Sequence, residues 1–364
     1  MSTPESFLLE APPSRDAAVS SGPSPTAATD PSTLHLIGAG KVGRAFLRRI
    51  ADAALPVRLV AVSDRSATVF APAGLDGRAI AGWKESGRSF AAHPRAAGLA
   101  LDLAVAVADA QLVVDATDSR LDPEARLDSI GRTLALLQRG VRVVLAAKTP
   151  LLADPAQLLP HRDRLGANAA LGGTGRALLS ELDELRERTT AVACVPNATT
   201  TAIVSALERG GSIDEGLAQA RAEGLLESDP AQDLDGRDAA LKLALVARLL
   251  FGADGARAAA PGSIGCHGVA ALDAGLLARR RARGTTTRLV GRAARSGELS
   301  LAWEEVARGS PLAAAPGCVV YAYERPDGSA RVHLGSGVGA GATADALIED
   351  VRALVSVAAA RSPR

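Results

Sequence analysis

The 364-residue sequence predicts an α/β protein in which a doubly wound parallel sheet is followed by a second, α+β domain carrying a mostly antiparallel sheet. Two observations carry this. From Leu34 to about Leu165, the short β-branched runs LHLIG, VRLVAVS, QLVVDAT and VRVVLAA alternate with longer amphipathic stretches around 41–53, 99–109 and 124–139. That is the rhythm of strand–helix–strand units with both sheet faces covered. After about residue 166 the rhythm changes, and TRLVGRA, ELSLAWEEV, CVVYAYE and RVHLGS follow one another with no helix between them, as antiparallel neighbours do.

Residues 1–32, rich in Pro, Ser, Thr and Ala, are expected to be a disordered tail. The start, MSTPESFLLEAPPSRD, has an acid at Glu5 and no long apolar run, so it lacks the features of a secretory signal. The stretch 68–98, with Trp83 and several glycines, has no clear period and reads as an insertion. In the second half, a helix over about 175–188 follows GGTG, then come a strand TAVACVP, a helix from Thr199 and another over Ile213–Gly224. A long helix over Gly236–Leu250 is marked by Leu241, Leu245, Val246 and Leu249 at helical spacing. A last helix over Thr343–Ala359 follows GSGVGAGA.

With 41 basic against 40 acidic side chains, nothing draws the chain to nucleic acid or to an anionic membrane. Aromatics are 2% of residues, so small aliphatic side chains must fill the cores. Cys194, Cys266 and Cys318 are far apart and never spaced as CxxC, which argues against a disulfide framework or a zinc site and for a reducing cytoplasm. One uncharged run, Thr189–Leu207, is long enough to span a membrane, but its five threonines, Pro196 and Asn197 make it a poor span.

The segment LHLIGAGKVGRAFLRRI places Gly38, Gly40 and Gly43 in GxGxxG order directly after a strand and at the opening of a helix, with Ala39, Lys41 and Val42 between them. Gly38 permits the tight turn, Gly40 lets backbone approach a pyrophosphate, and Gly43 lets helix and strand pack closely. Asp64, 21 residues past Gly43, ends the second strand, where an acid holds ribose hydroxyls. The neighbouring Arg65 could instead meet the 2′-phosphate of NADP, so NAD and NADP both stay open. This is a Rossmann-type dinucleotide site, and Thr117, in the loop after VVDAT, should line its nicotinamide end.

The run ESDPAQDLDGRDAALK, Glu227–Lys242, packs five carboxylates and one lysine into sixteen residues just before an apolar helical run. Read as a calcium loop it fails, because Lys242 would occupy the closing acidic position. Asp229 and Asp235 suit turn and helix-start chemistry, whereas Asp238 and Lys242, four apart on one helix, can meet. On its own such a pair is an ordinary surface ion pair. Lys148, just past VRVVLAA, stands at the carboxyl edge of the parallel sheet, where ligands of such folds bind. Cys266–His267 is read as packing or a turn, and the other histidines are assigned no role.

With VVLAAK at 143–148, VPNATTTAI at 195–203 and GLLESDPAQDLDGRDAALK at 224–242, the chain resembles the homoserine dehydrogenase family over nearly everything from Leu34 to about Leu354. Glu227, Asp229, Pro230, Asp233, Gly236, Asp238 and Lys242 all match the family's most specific run. The resemblance implies reduction of aspartate 4-semialdehyde to homoserine by NAD(P)H in threonine and methionine biosynthesis, carried out by a cytoplasmic homodimer. It also implies a nucleotide domain over 33–165 completed by 335–364, and a catalytic and dimerising domain over 166–334. By the same resemblance Glu227 takes the substrate ammonium, while Asp233 and the Ala198–Thr199 loop contact the rest of the amino acid. Hydride transfer to an aldehyde leaves a developing alkoxide that needs a proton and positive charge nearby. Lys242 and Lys148 are the two candidates, and the sequence does not decide between them; Lys242, oriented by Asp238, is the expected proton donor, with Lys148, beside the cofactor, polarising the carbonyl or holding the substrate carboxylate.

Several positions depart from the family pattern. Leu225 stands where a tyrosine is common, Ala147 where an Asn precedes the lysine, Ala198 where a Gly is usual, and the glycine-rich segment reads GGTGRAL with Arg176 and Ala177. An added methyl and a lost tyrosine would reshape a small amino-acid pocket, which leaves another small semialdehyde as an alternative substrate. A non-catalytic nucleotide-binding regulator is a third reading. Residues 165–173 contain no carboxylate, so no firmly held metal is expected. Nor is a C-terminal ACT-type domain, an N-terminal kinase, or feedback inhibition through such a domain.

Overall fold

The computed structural model describes residues 30–98, 109–225, 234–255, 264, 268–336 and 339–361. Most of the tail over 1–32 and of the helix expected over 99–109 lies outside these residues, as do Glu227, Asp229, Asp233, Cys266 and His267.

The first sheet has seven strands in the order β4-β3-β2-β1-β5-β6-β7. Its parallel part comprises β1 (Ser32–Ile37), β2 (Val57–Ser63), β5 (Leu112–Asp115), β6 (Arg142–Leu145) and β7 (Leu165–Gly166). Helices α1 (Lys41–Asp52), α2 (Gly77–Glu85) and α3 (Pro123–Gln138) belong to this part of the chain. Burial on both faces explains why these strands read as continuous apolar runs: Leu34, Leu36, Leu112, Val113, Val114 and Val144 are all fully buried.

Residues 68–98 are not an insertion outside the sheet. Strands β3 (Thr68–Phe70) and β4 (Ala96–Ala97) add an antiparallel edge to β2, and α2 packs against α1. The hairpin into β3 is closed by Asp64, whose Oδ1 accepts from the Ser66 amide at 2.7 Å while its own amide donates to the Ala67 carbonyl at 3.0 Å. Strands of three and two residues are too short to show a period.

The second sheet is antiparallel throughout, in the order β10-β9-β8-β11-β12. Its strands are β8 (Ala191–Val195), β9 (Thr285–Ala294), β10 (Leu299–Ala307), β11 (Val319–Glu324) and β12 (Ala330–Gly335). The helix expected over 175–188 is two, α5 (Gly175–Ser180) and α6 (Leu182–Arg188), after the single turn α4 (Pro155–Leu158). The break falls at Glu181, whose carboxylate takes Arg331 and His333 of β12 and is held down at about 2, chiefly by Arg331. Then come α7 (Ala198–Glu208), α8 (Ile213–Ala222), α9 (Arg237–Gly255) and α10 (Ala274–Ala282). The two buried tyrosines Tyr321 and Tyr323 supply aromatic bulk to this half's core. Helix α9 touches β8, β9 and the turn Thr149–Leu152 just after β6, so it bridges the two sheets. Close approach depends on Gly291 in β9, where an added Cβ would stand 3.1 Å from both Cys194 Sγ and Leu243 Cδ2.

The last helix, α11 (Gly339–Arg361), packs against α1, β6 and β7, and Arg49 of α1 pairs with its Asp345. Asp350 is buried on this helix against Gly166, where a side chain would have to stand 2.7 Å from the Asp350 Cβ. Burial raises its carboxyl to about 7, although the Asn168 amide donates to it at 2.7 Å. The unfolded chain ionises at 3.8, so the folded state binds more protons between pH 3.8 and 7 and loses stability as pH rises through that window. The Asp350→Asn variant stays neutral. Urea titrations from pH 4 to 8 should therefore show wild type falling relative to the variant, by a few kcal/mol at most; parallel curves would contradict this origin.

Candidate active site

The turn from β1 into α1 is shaped by its glycines. Gly38 has φ +96°, and an added Cβ would lie 2.6 Å from the Ala116 carbonyl, so this turn packs directly under the loop that follows β5. At Gly43 an added Cβ would meet the Gly38 oxygen at 1.9 Å, which fixes helix against strand. At Gly40, by contrast, an added Cβ would meet no heavy atom within 4 Å. This open cradle lies at the N-cap of α1, which no side chain caps and whose first turn holds no acid. A pyrophosphate fits such a place, since backbone amides and the helix dipole both favour an anion there. Ala39 is buried beneath the cradle, with Lys41 exposed and Val42 half-buried beside it.

The opening lies between β1 and β5, where strand order reverses and doubly wound sheets bind their ligands. Thr117 borders it, its amide and hydroxyl both donating to Asp115 Oδ1, at 3.0 and 2.6 Å. At the end of β2, Asp64 pairs through Oδ2 with Lys84 of α2 at 2.7 Å, while Oδ1 takes the Ser66 and Ala67 amides. Burial works against its charge, but Lys84 and these donors outweigh burial and lower its pKa. Arg65 beside it is exposed. Lys84 could not be found from the sequence, because its partner lies 20 residues back across a stretch with no period.

The carboxyl end of β6 and the start of α9 meet at three charges. Asp238 receives the Lys242 ammonium on Oδ2 at 2.7 Å and the Lys148 ammonium on Oδ1 at 3.1 Å. All three side chains are no more than 14% exposed. Burial alone would raise the Asp238 pKa, but Lys242 and Lys148 together hold its carboxyl well below the usual carboxylate range. Asn197, the N-cap of α7, donates to Asp238 Oδ2 at 3.0 Å, and Lys242 donates to the Pro196 carbonyl at 3.0 Å. Ser119 Oγ accepts from the Lys148 amide at 2.9 Å, so the loop after β5 fixes the position of that lysine.

The sequence alone shows neither the reach of Asn197 to Asp238 nor the hold of Ser119 on Lys148. The cap signal of an Asn before ATTTAI was available for the first, but what the cap side chain touches depends on α9. Ala198 and Thr199 begin α7 as buried residues, and the Thr199 hydroxyl donates to the Leu225 carbonyl at 3.3 Å. Leu225 itself is buried with Ala202 and Ala220. Arg176 opens α5, its amide donating to Asn168 Oδ1 at 3.4 Å. Asp235, by contrast, is helix-start chemistry: its Oδ1 accepts from the Arg237 amide at 3.0 Å. Among the described residues no group of three His, Cys, Asp or Glu side chains could hold a metal ion.

The homoserine dehydrogenase family model matches residues 177–351. The NAD(+)-dependent homoserine dehydrogenase of Pseudomonas canavaninivorans is 27% identical over 284 residues, 74% of this chain and 79% of that protein. Residues 177–351 are thus of homoserine dehydrogenase type, and the matched relatives are homoserine dehydrogenases. The homoserine dehydrogenase of Synechocystis is 32% identical over 200 residues, 52% of this chain, which spans 45% of that longer relative. A hyperthermophilic archaeal homoserine dehydrogenase solved with NADPH superposes with a TM-score of 0.68 at 20% identity, covering 90% of this chain and 98% of the other. That likeness concerns the fold, and the two-sheet architecture described above is the one it shares.

Proposed function

We propose that this chain is an NAD(P)H-dependent homoserine dehydrogenase that reduces L-aspartate 4-semialdehyde to L-homoserine. The observation that carries the reading is the convergence of Lys148 and Lys242 on the buried Asp238, a cluster that joins the carboxyl edge of the first sheet to α9. NAD(P)H supplies the hydride, and its pyrophosphate would be held by Gly38, Gly40 and Gly43. Lys242 delivers a proton to the developing alkoxide oxygen, and Lys148 places positive charge on the carbonyl or on the substrate carboxylate. Asp238 keeps both ammonium groups aimed, and Asn197 keeps Asp238 in place. Glu227 takes the substrate ammonium, and Asp233, Ala198 and Thr199 contact the rest of the amino acid. A homodimer working in the cytoplasm, in threonine and methionine biosynthesis, belongs to the same reading. Homoserine-dependent reduction of NAD or NADP at 340 nm tests it; no turnover with either cofactor, while cofactor still binds, would overturn it.

The Lys84–Asp64 pair bears on cofactor choice. With one carboxylate oxygen held by Lys84 and the other by backbone amides, Asp64 has little capacity left for ribose hydroxyls, and the cations Lys84 and Arg65 suit a 2′-phosphate. The Lys84→Met variant should therefore move the NADH-to-NADPH ratio of kcat/KM towards NADH by about tenfold, the loss of one charge-assisted hydrogen bond. An unchanged ratio would remove Lys84 from cofactor selection.

A second reading rests on Leu225, which turns an apolar side chain into a small apolar cluster where the family commonly has a tyrosine. Under it, another small semialdehyde outcompetes aspartate semialdehyde in kcat/KM.

A further inference from the structure

Where the end of α7, helix α10 and the start of β9 meet, a cavity of about 320 Å³ is lined by Arg209, Arg281, Arg288 and Arg308. Elsewhere around the second sheet arginines pair with carboxylates, as Arg283 does with Glu305 at 2.7 Å, Arg292 with Glu304 at 2.7 Å and Arg331 with Glu181 at 2.6 Å. Among the described residues, none of the four cavity arginines has an ion pair. The donors of three of them go to neutral acceptors: Arg209 to Gln219 Oε1 at 2.8 Å, Arg281 to the Glu208 carbonyl at 2.5 Å, and Arg288 to Thr286 Oγ1 at 2.6 Å and the Thr287 carbonyl at 2.8 Å. Glu208, the acid lining the cavity, has its carboxylate engaged by the Thr286 hydroxyl and the Thr287 amide.

Arg288 is the most telling of the four. It is 5% exposed, and its Nε has no hydrogen-bond partner. Burial pushes the Arg288 guanidinium below its ordinary value, with Arg308 adding repulsion and Glu208 opposing it. With Glu208 the one acid of the lining, its carboxylate shared with Thr286 and Thr287, a buried Arg288 among three further arginines leaves the cavity with an excess of positive charge that an entering anion would relieve.

We propose that this cavity binds a small oxyanion with two or more negative charges, either a phosphate ester or a polycarboxylate. Guanidinium forks match both groups bidentately, and the space suits a compact anion and is too small for a dinucleotide. The site is separate from the lysine cluster, since α7 places Asn197 at one end and Glu208 and Arg209 at the other, about 16 Å apart.

The test is thermal unfolding of the full chain titrated with pyrophosphate, and separately with citrate, at ionic strength held constant with chloride. A saturable rise in Tm is expected with at least one of them, the pyrophosphate arm identifying phosphate esters and the citrate arm polycarboxylates; equal responses point to the oxyanion charge alone. Half-saturation should move at least tenfold higher in the Arg209→Ala/Arg308→Ala variant, whose two side chains are exposed and outside the core. No saturable response to either anion would overturn the proposal. So would half-saturation unchanged in the double variant, which would assign the anion to another place such as the glycine turn.

Discussion

The Lys242→Ala variant is expected to lose roughly 10²–10⁴-fold in kcat, the range for removing a positioned general acid, while its affinity for the dinucleotide stays at the wild-type value. The separation follows from position. Lys242 lies on α9 and touches Asp238 and the Pro196 carbonyl, whereas the open cradle at Gly40 is built from β1 and α1. Lys148→Ala should also lower kcat, but with a larger rise in KM if that ammonium holds the substrate carboxylate. Rates falling equally in kcat and kcat/KM for Lys242→Ala would identify an interaction made in the transition state, and unchanged turnover would remove it as the donor.

Asp238→Ala is expected to destabilise the fold by about 3–5 kcal/mol, the cost of breaking a buried ion pair by removing one partner, and to abolish turnover. Removing the carboxylate takes from two largely buried ammonium groups the anion they share. It also strips Asn197 of an acceptor and so loosens the start of α7. Asp238→Asn keeps the shape and an acceptor for Asn197 but loses the charge the two lysines share, and should be almost as inactive but less destabilised. Urea unfolding read by circular dichroism distinguishes the two; a loss under about 1 kcal/mol for Asp238→Ala would mean the cluster behaves as an exposed ion pair.

Much of the fold is legible in the sequence because the parallel strands are buried on both faces and read as unbroken β-branched runs. The long helix α9 is likewise announced by Leu241, Leu245, Val246 and Leu249, all buried. The antiparallel edge β3–β4 was not legible, since strands of three and two residues carry no period and depend on the Asp64 turn. The Asp238–Lys242 contact is local, four residues along one helix, and its spacing sufficed. Bringing Lys148 to the same carboxylate requires α9 to lie against the turn after β6, a tertiary fact no spacing encodes. Asn197 and Lys84 escaped for the same reason: each meets its acid through packing between separate elements.

The consumption of NADPH or NADH when L-aspartate 4-semialdehyde is added to wild type and to Lys242→Ala side by side tests Lys242 as the proton donor of a homoserine dehydrogenase. That role for Lys242 requires rapid, substrate-dependent loss of absorbance at 340 nm with wild type, L-homoserine as the product, and near-background rates for the variant. Equal rates in the two proteins, or no consumption by wild type with either cofactor bound, would contradict it.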